Sequence, residues 1–199
     1  MVNTAIIVGT LTEQFKPVEG TNRSTTEIMV KTNKASFVPV SIDDKTALPD
    51  ALIVGKRVKI TGTIRSWSEY TDDGKRHNHV HIHAAAVEHI ANTEPDQSYV
   101  HFQGRIVTTP HSTVKGGKNI AQVITRIKLT EGRFFYIPIV AWSGAAQYVS
   151  TLQVKQDVDI VGSLISRPYI KYIDNAPEQR VTHEIVISRI IPIQGENNA

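Results

Sequence analysis

No cysteine occurs anywhere in the 199 residues. Disulfides, thiolate metal sites and a cysteine nucleophile are therefore excluded, and the composition fits a reducing compartment. Equally absent is any run approaching the ~20 apolar residues of a membrane span. The opening "MVNTAIIVGTL" has no basic region ahead of a long apolar stretch. The expectation is a soluble cytoplasmic protein without membrane attachment. Charge is close to balanced: 22 Lys and Arg against 19 Asp and Glu leave +3 at pH 7, which permits a polyanionic partner without demanding one. Catalytic signatures are missing too. Gly116 and Gly117 lack the Lys and Ser/Thr spacing of a phosphate-binding loop, and no Ser/His/Asp constellation or carboxylate pair has a recognisable context. Neither an enzyme nor a cofactor is expected.

Short runs rich in Val, Ile, Thr and Tyr, bounded by Gly, Asn, Asp or Pro, fill the chain, while helical spacing is sustained almost nowhere. The fold class is all-β, and the chain repeats itself. "IIVGTL" at 6–11 answers to "HFQGRI" at 101–106, "SFVPVSI" at 36–42 to "FYIPIVA" at 135–141, and "VKITGTI" at 58–64 to "VDIVGSL" at 158–164. Each half reads as five strands, giving a first domain over 1–92, a linker over 93–97, a second domain over 98–194 and a tail over 195–199. A short helix is expected after the third strand of each half: "SGAAQYVSTL", with Ser143 as N-cap, and "DKTALPDALIV", shortened by Pro49. Gly62 and Gly162 interrupt β-branched strands, where glycine permits the bend that lets a small sheet close. Five curled strands with one helix after the third describe two tandem OB-fold five-stranded barrels; a generic five-stranded sandwich is the rival. The segments "EQFKPVEGTNRS", "TPHSTVKGGKN", "SEYTDDGKRHN" and "PYIKYIDNAPEQR" read as long loops able to clamp a ligand.

The stretch "KRHNHVHIH" sets His77, His79, His81 and His83 on one face of a strand, with Val80 and Ile82 on the other. Two readings stand: a metal-binding strand, or a strand facing solvent or another subunit whose imidazoles gain charge below about pH 6.5 and tighten phosphate contacts. Aligning the repeats places Arg180, Thr182, Glu184 and Val186 opposite these histidines, and spacing brings no second His or carboxylate group to the strand. The expectation is no metal.

The second half resembles the bacterial single-stranded DNA-binding (SSB) family. "VHFQGRIVTTP", "FYIPIVAWSGAAQYVSTLQVKQDVDIVGSLISRPY" and "EQRVTHEIVIS" carry the resemblance across nearly all of 98–193; "NTAIIVGTLTE" and "GKRVKITGTIRSW" carry it more loosely in the first half. It implies single-stranded DNA as partner, with RNA left open, and a homodimer that displays four barrels. It also implies stacking by Tyr136, Trp142 and Tyr169, with Arg126, Lys128, Arg167 and Lys171 as nearby cations. Phe37 and Trp67 are the first-half counterparts, with Tyr70 close by and Lys31, Lys34 and Arg65 as cations. Asp43 stands where Trp142 would match, so the first barrel is expected to bind more weakly. Core placement of these rings is the alternative. Alternation in "FFYIPIVAW" separates Phe134, Tyr136, Pro138, Val140 and Trp142 from an apolar set of Phe135, Ile137, Ile139 and Ala141. The ending "IPIQGENNA" lacks the acidic tail through which family members recruit replication enzymes, so that recruitment is in doubt. The second function class is therefore an assembly module resembling the primosomal protein PriB.

Overall fold

The computed structural model describes residues 2–32, 34–49, 52–70, 74, 76–129, 132–173 and 176–193; the side chains of Glu69, Tyr70, Arg76, His77 and Ile173 lie outside that description. Twelve strands follow one another: β1 (Asn3–Leu11), β2 (Lys16–Val18), β3 (Arg23–Lys31), β4 (Ala35–Asp43), β5 (Arg57–Tyr70), β6 (Arg76–His89), β7 (Gln97–Ile106), β8 (His111–Lys115), β9 (Lys118–Lys128), β10 (Phe134–Trp142), β11 (Asp157–Ile173) and β12 (Ala176–Pro192). An α-helix, α1 (Gly144–Val149), lies between β10 and β11.

Period-two alternation places Ile137, Ile139 and Ala141 in the core of the second half and Val80 and Ile82 in that of the first, all at most 1% exposed. Full burial of each such Val or Ile side chain contributes roughly 1.5–3 kcal/mol. The sheet order is β2-β3-β4-β6-β5-β1-β7-β11-β12-β10-β9-β8, and the further pairings β3–β1 and β7–β9 curl each half into a closed five-stranded barrel. Both barrels close through a parallel pair, β4 with β6 and β10 with β12. Gly62 and Gly162 each sit at a bulge, between Thr61 and Gly62 and between Val161 and Gly162. A Cβ on Gly162 would lie 2.5 Å from the Val186 carbonyl oxygen, so only glycine lets the two strands approach there.

The halves are joined by antiparallel pairing of β1 with β7. Ala5 faces Val100 across that joint, and these two are also equivalents, since Ala5 pairs with Gly62 and Val100 with Gly162. The joint therefore has approximate two-fold symmetry. Two hydrogen bonds obey it: the Phe37 amide donates to Ser166 Oγ (2.9 Å) and the Tyr136 amide to Ser66 Oγ (2.8 Å). The connecting residues are tied down as well, because Arg57 pairs with Asp96 and donates to the Glu94 carbonyl (2.6 Å).

Several expectations need correction. Among the described residues between Asp43 and Arg57 there is no helix; Asp43–Thr46 forms a turn (2.8 Å) and Pro49 lacks the amide a helix would need. Ser143 precedes α1 with φ of 53°, and its side chain makes no capping bond. Its amide instead donates to the Asn119 carbonyl (2.8 Å), which sets the turn. The expected loops after the first strand form the hairpin strands β2 and β8, and those after the fourth extend as two-stranded arms, β5–β6 and β11–β12. No described helix is long and apolar enough to cross a membrane.

Candidate nucleic-acid interface

On the outer face of the second barrel, antiparallel register sets Tyr136 beside Arg126, Phe134 beside Lys128 and Trp142 beside Ile120. Trp142 is 38% exposed at the end of β10, while Tyr136 is half-buried. Arg126 lies over the Phe134 ring, 4.5 Å from its centroid, a cation–π pair. These two side chains, with Lys128, Arg105 and Asp157, line a groove of about 400 Å³. There Arg105 holds Asp157 in a two-pronged pair (2.7 and 2.7 Å), and that hydrogen bonding keeps the Asp157 carboxyl below its ordinary range. Along the β11–β12 arm, Arg167, Tyr169 and Lys171 alternate onto one face opposite Thr182, Arg180 and Glu178. Tyr169 is half-buried there.

Expected phosphate contacts fare unequally. Arg167 is engaged by Glu184, which is 5% exposed, through bonds of 2.9 and 3.1 Å, so its guanidinium serves the barrel. Among the described residues Lys128 and Lys171 make no ion pair, although Lys171 lies near enough to Glu178 to favour its ionised form. Alternation in "FFYIPIVAW" holds at Ile137, Ile139 and Ala141, but Val140 is also buried. Phe134 and Arg105 extend the site beyond the residues expected of it. Phe134 was legible, because alternation puts it on the face of Tyr136; "FQGRI" offers no spacing that would mark Arg105.

The first barrel presents a different surface. Phe37 is 41% exposed and Trp67 50%, yet Phe37 faces Met29 where Tyr136 faces Arg126. Lys31 and Lys34 are exposed at the far end, with Lys31 opposite Ala35. Arg65 is half-buried across from His81, and desolvation lowers its proton affinity. Asp43, at the position of Trp142, is 3.2 Å from His83 and 3.5 Å from Arg23. The Tyr70 side chain lies outside the described residues.

The histidines do not simply face water. His79 stacks on Trp67, with centroids 4.0 Å apart and planes at 13°. His83 is buried between Ser41 Oγ (3.1 Å) and Asp43. Desolvation, aided by His83, Arg23 and Arg65, pushes His81 down to about 4, and desolvation lowers His83 too. The expected charging of the strand below about pH 6.5 is thus wrong for His81, which stays neutral well below that pH. No group of three or more His, Asp or Glu able to hold a metal occurs among the described residues, and the His77 side chain lies outside them.

Comparison with known proteins speaks to the fold. No protein-family model and no curated protein matches the chain. Two crystal structures of the single-stranded DNA-binding protein from Thermus aquaticus do. The wild-type protein aligns with a TM-score of 0.73 and 16% identity over 100% of this chain and 96% of that one. A deletion variant aligns with a TM-score of 0.74 and 15% identity over 98% and 96%. The chain has their fold. Both barrels are OB-folds in tandem, as expected, and the sandwich alternative falls.

Proposed function

We propose that this chain binds single-stranded DNA, without catalysis, by stacking bases on the aromatic side chains of the second barrel and pairing phosphates with the cations beside them. The observation that carries the reading is an outer face of β9 and β10 on which Phe134 and Tyr136 lie in register with Lys128 and Arg126, with the exposed Trp142 at the end of the same strand. Each stacked base contributes roughly 1–3 kcal/mol whatever its identity, so a few rings suffice for useful affinity. The Thermus aquaticus protein of the same fold is itself a single-stranded DNA-binding protein, which supports the reading. Tyr169 and Lys171 extend the track along the arm. Phe37, Trp67, Tyr70, Lys31, Lys34 and Arg65 form a weaker first-barrel counterpart, because Met29 and Asp43 replace a cation and a ring there. Such binding suits replication, recombination or mobile-element maintenance. A homodimer accords with the half-exposed Ile6, Tyr99 and Val161 on the outer face of the joined sheet.

Fluorescence anisotropy of a labelled thymidine oligomer, its duplex and a uridine oligomer tests the proposal. The single strands should bind and the duplex should not, with log affinity falling by about 0.7 per phosphate neutralised for each tenfold rise in salt. Failure of the thymidine oligomer to bind at low salt would overturn it.

A further inference from the structure

The groove of the first barrel, about 610 Å³, is lined by Glu27, Trp67, His79, His81 and, from the second barrel, His183. Its volume lies within the range of small-ligand sites, roughly 300–1,000 Å³. Register builds its floor from four strands. Glu27 faces Pro39, Val40 and Ser41 pair with Ile82 and His83, and His81 and His79 face Arg65 and Trp67. Glu27, Pro39, His81 and Arg65 thus form one row, next to the row of Met29, Phe37, His79 and Trp67. His183 closes one side, donating from Nε2 to the Phe37 carbonyl (3.2 Å).

This chemistry does not suit a phosphate. Arg23 is drawn to Asp43, His81 is neutral, and Glu13, which also lines the groove, is a carboxylate paired with Lys16. Glu27 is the unexplained group. Half-buried, its carboxylate has no hydrogen-bond or ion-pair partner among the described residues, although its carbonyl accepts from Thr12, and burial together with Glu13 raises its proton affinity. A carboxylate accepts only, so a ligand that displaces water from it must bring N–H donors. Across the groove, on β5 and β6, stands a flat stacked pair, Trp67 on His79, with Trp67 half open to solvent. Stacking surface plus carboxylate acceptor matches an unpaired base whose edge offers donors.

We propose that this groove holds a single unpaired guanine, with Glu27 accepting from N1–H and the N2 amino group while the base lies against the Trp67–His79 pair. Guanine alone sets two donors side by side on its pairing edge. Thymine has one N–H between two carbonyls, which a carboxylate repels, and adenine and cytosine pair their amino donor with a ring acceptor. This rests on the single-strand reading above and adds base selection to it: the second barrel grips any strand, and the first reads one base.

The test compares the full chain on a thymidine oligomer with the same oligomer carrying one central guanine, adenine or cytosine. One guanine should tighten binding roughly five- to hundredfold, the discrimination of a good two-pronged base contact, and adenine or cytosine far less. Glu27→Gln, which keeps size but removes the double acceptor, should bring the guanine-to-thymine ratio to about one. Equal affinity for the guanine and thymidine oligomers, or a preference that survives in E27Q, would overturn the inference while leaving single-strand binding intact. Should neither oligomer bind, both readings fall.

Discussion

Acidifying the protein from pH 7.5 to 5.5 should weaken its fold, and the share carried by His81 can be isolated. His81 is held at about 4, against 6.5 for an ordinary imidazole, because its site is desolvated and His83, Arg23 and Arg65 lie near. In the unfolded chain the same ring protonates near 6.5. The unfolded state therefore binds more protons between these values, and stability falls as pH drops through that window. Above pH 6.5 both states are neutral and the effect vanishes; below 4 both are charged and the loss levels off. The full separation corresponds to about 3 kcal/mol at about 1.4 kcal/mol per pH unit, and the step from pH 7.5 to 5.5 to about 1.3 kcal/mol. For a chain of this length that lowers Tm by about 3–5 °C. Thermal melts of the wild type and of His81→Gln at the two pH values isolate it, because His83 and His183, also lowered by burial, are retained in both. The wild type should lose more than H81Q by that margin. Parallel losses would refute the reasoning, since burial of a neutral His81 would then carry no penalty for its charge.

Gly162→Ala should cost roughly 1–3 kcal/mol in urea unfolding, because its Cβ would meet the Val186 carbonyl and Ile185 Cγ2 (2.9 Å). Gly144→Ala, with open space around it, should be within a few tenths of neutral; equal midpoints for the two would contradict this. Arg167→Met strands the buried Glu184 and should cost about 1–3 kcal/mol, part of which returns on adding Glu184→Gln; full additivity in that double-mutant cycle would show that the pair is not coupled. Lys128→Ala should weaken binding of thymidine oligomers and flatten the salt dependence by about 0.7, and an unchanged slope would remove Lys128 from the phosphate path.

Strand periodicity and internal repetition carried most of the architecture. The prolines of "SFVPVSI" and "FYIPIVA", together with Gly62 and Gly162, were enough to align two barrels, because closing a small curled sheet demands glycine at the same bulge in each. Less legible were features that depend on long-range partners. Nothing local in "MVNTAIIVGTL" or "SYVHFQGRI" says that β1 and β7 pair with each other, and Ser66 and Ser166 look like ordinary strand serines until the neighbouring barrel supplies amides. Arg167 illustrates the same limit at the site: spacing put it beside the aromatics, while Glu184, seventeen residues on, claims it. Alternation showed which face the histidines share but not that this face lines a groove, so their burial and suppressed charge escaped notice. Glu27 was invisible for a related reason, since an unpaired carboxylate has no sequence signature.

Single-strand binding on the second barrel is tested most directly by its tryptophan. The chain has two, Trp67 and Trp142, so Trp67→Phe leaves Trp142 as the sole reporter. Titrating that protein with a thymidine oligomer in low-salt buffer should quench the remaining emission strongly and saturably, and added salt should reverse the quenching. Emission that stays constant while the oligomer is raised to excess would contradict the account.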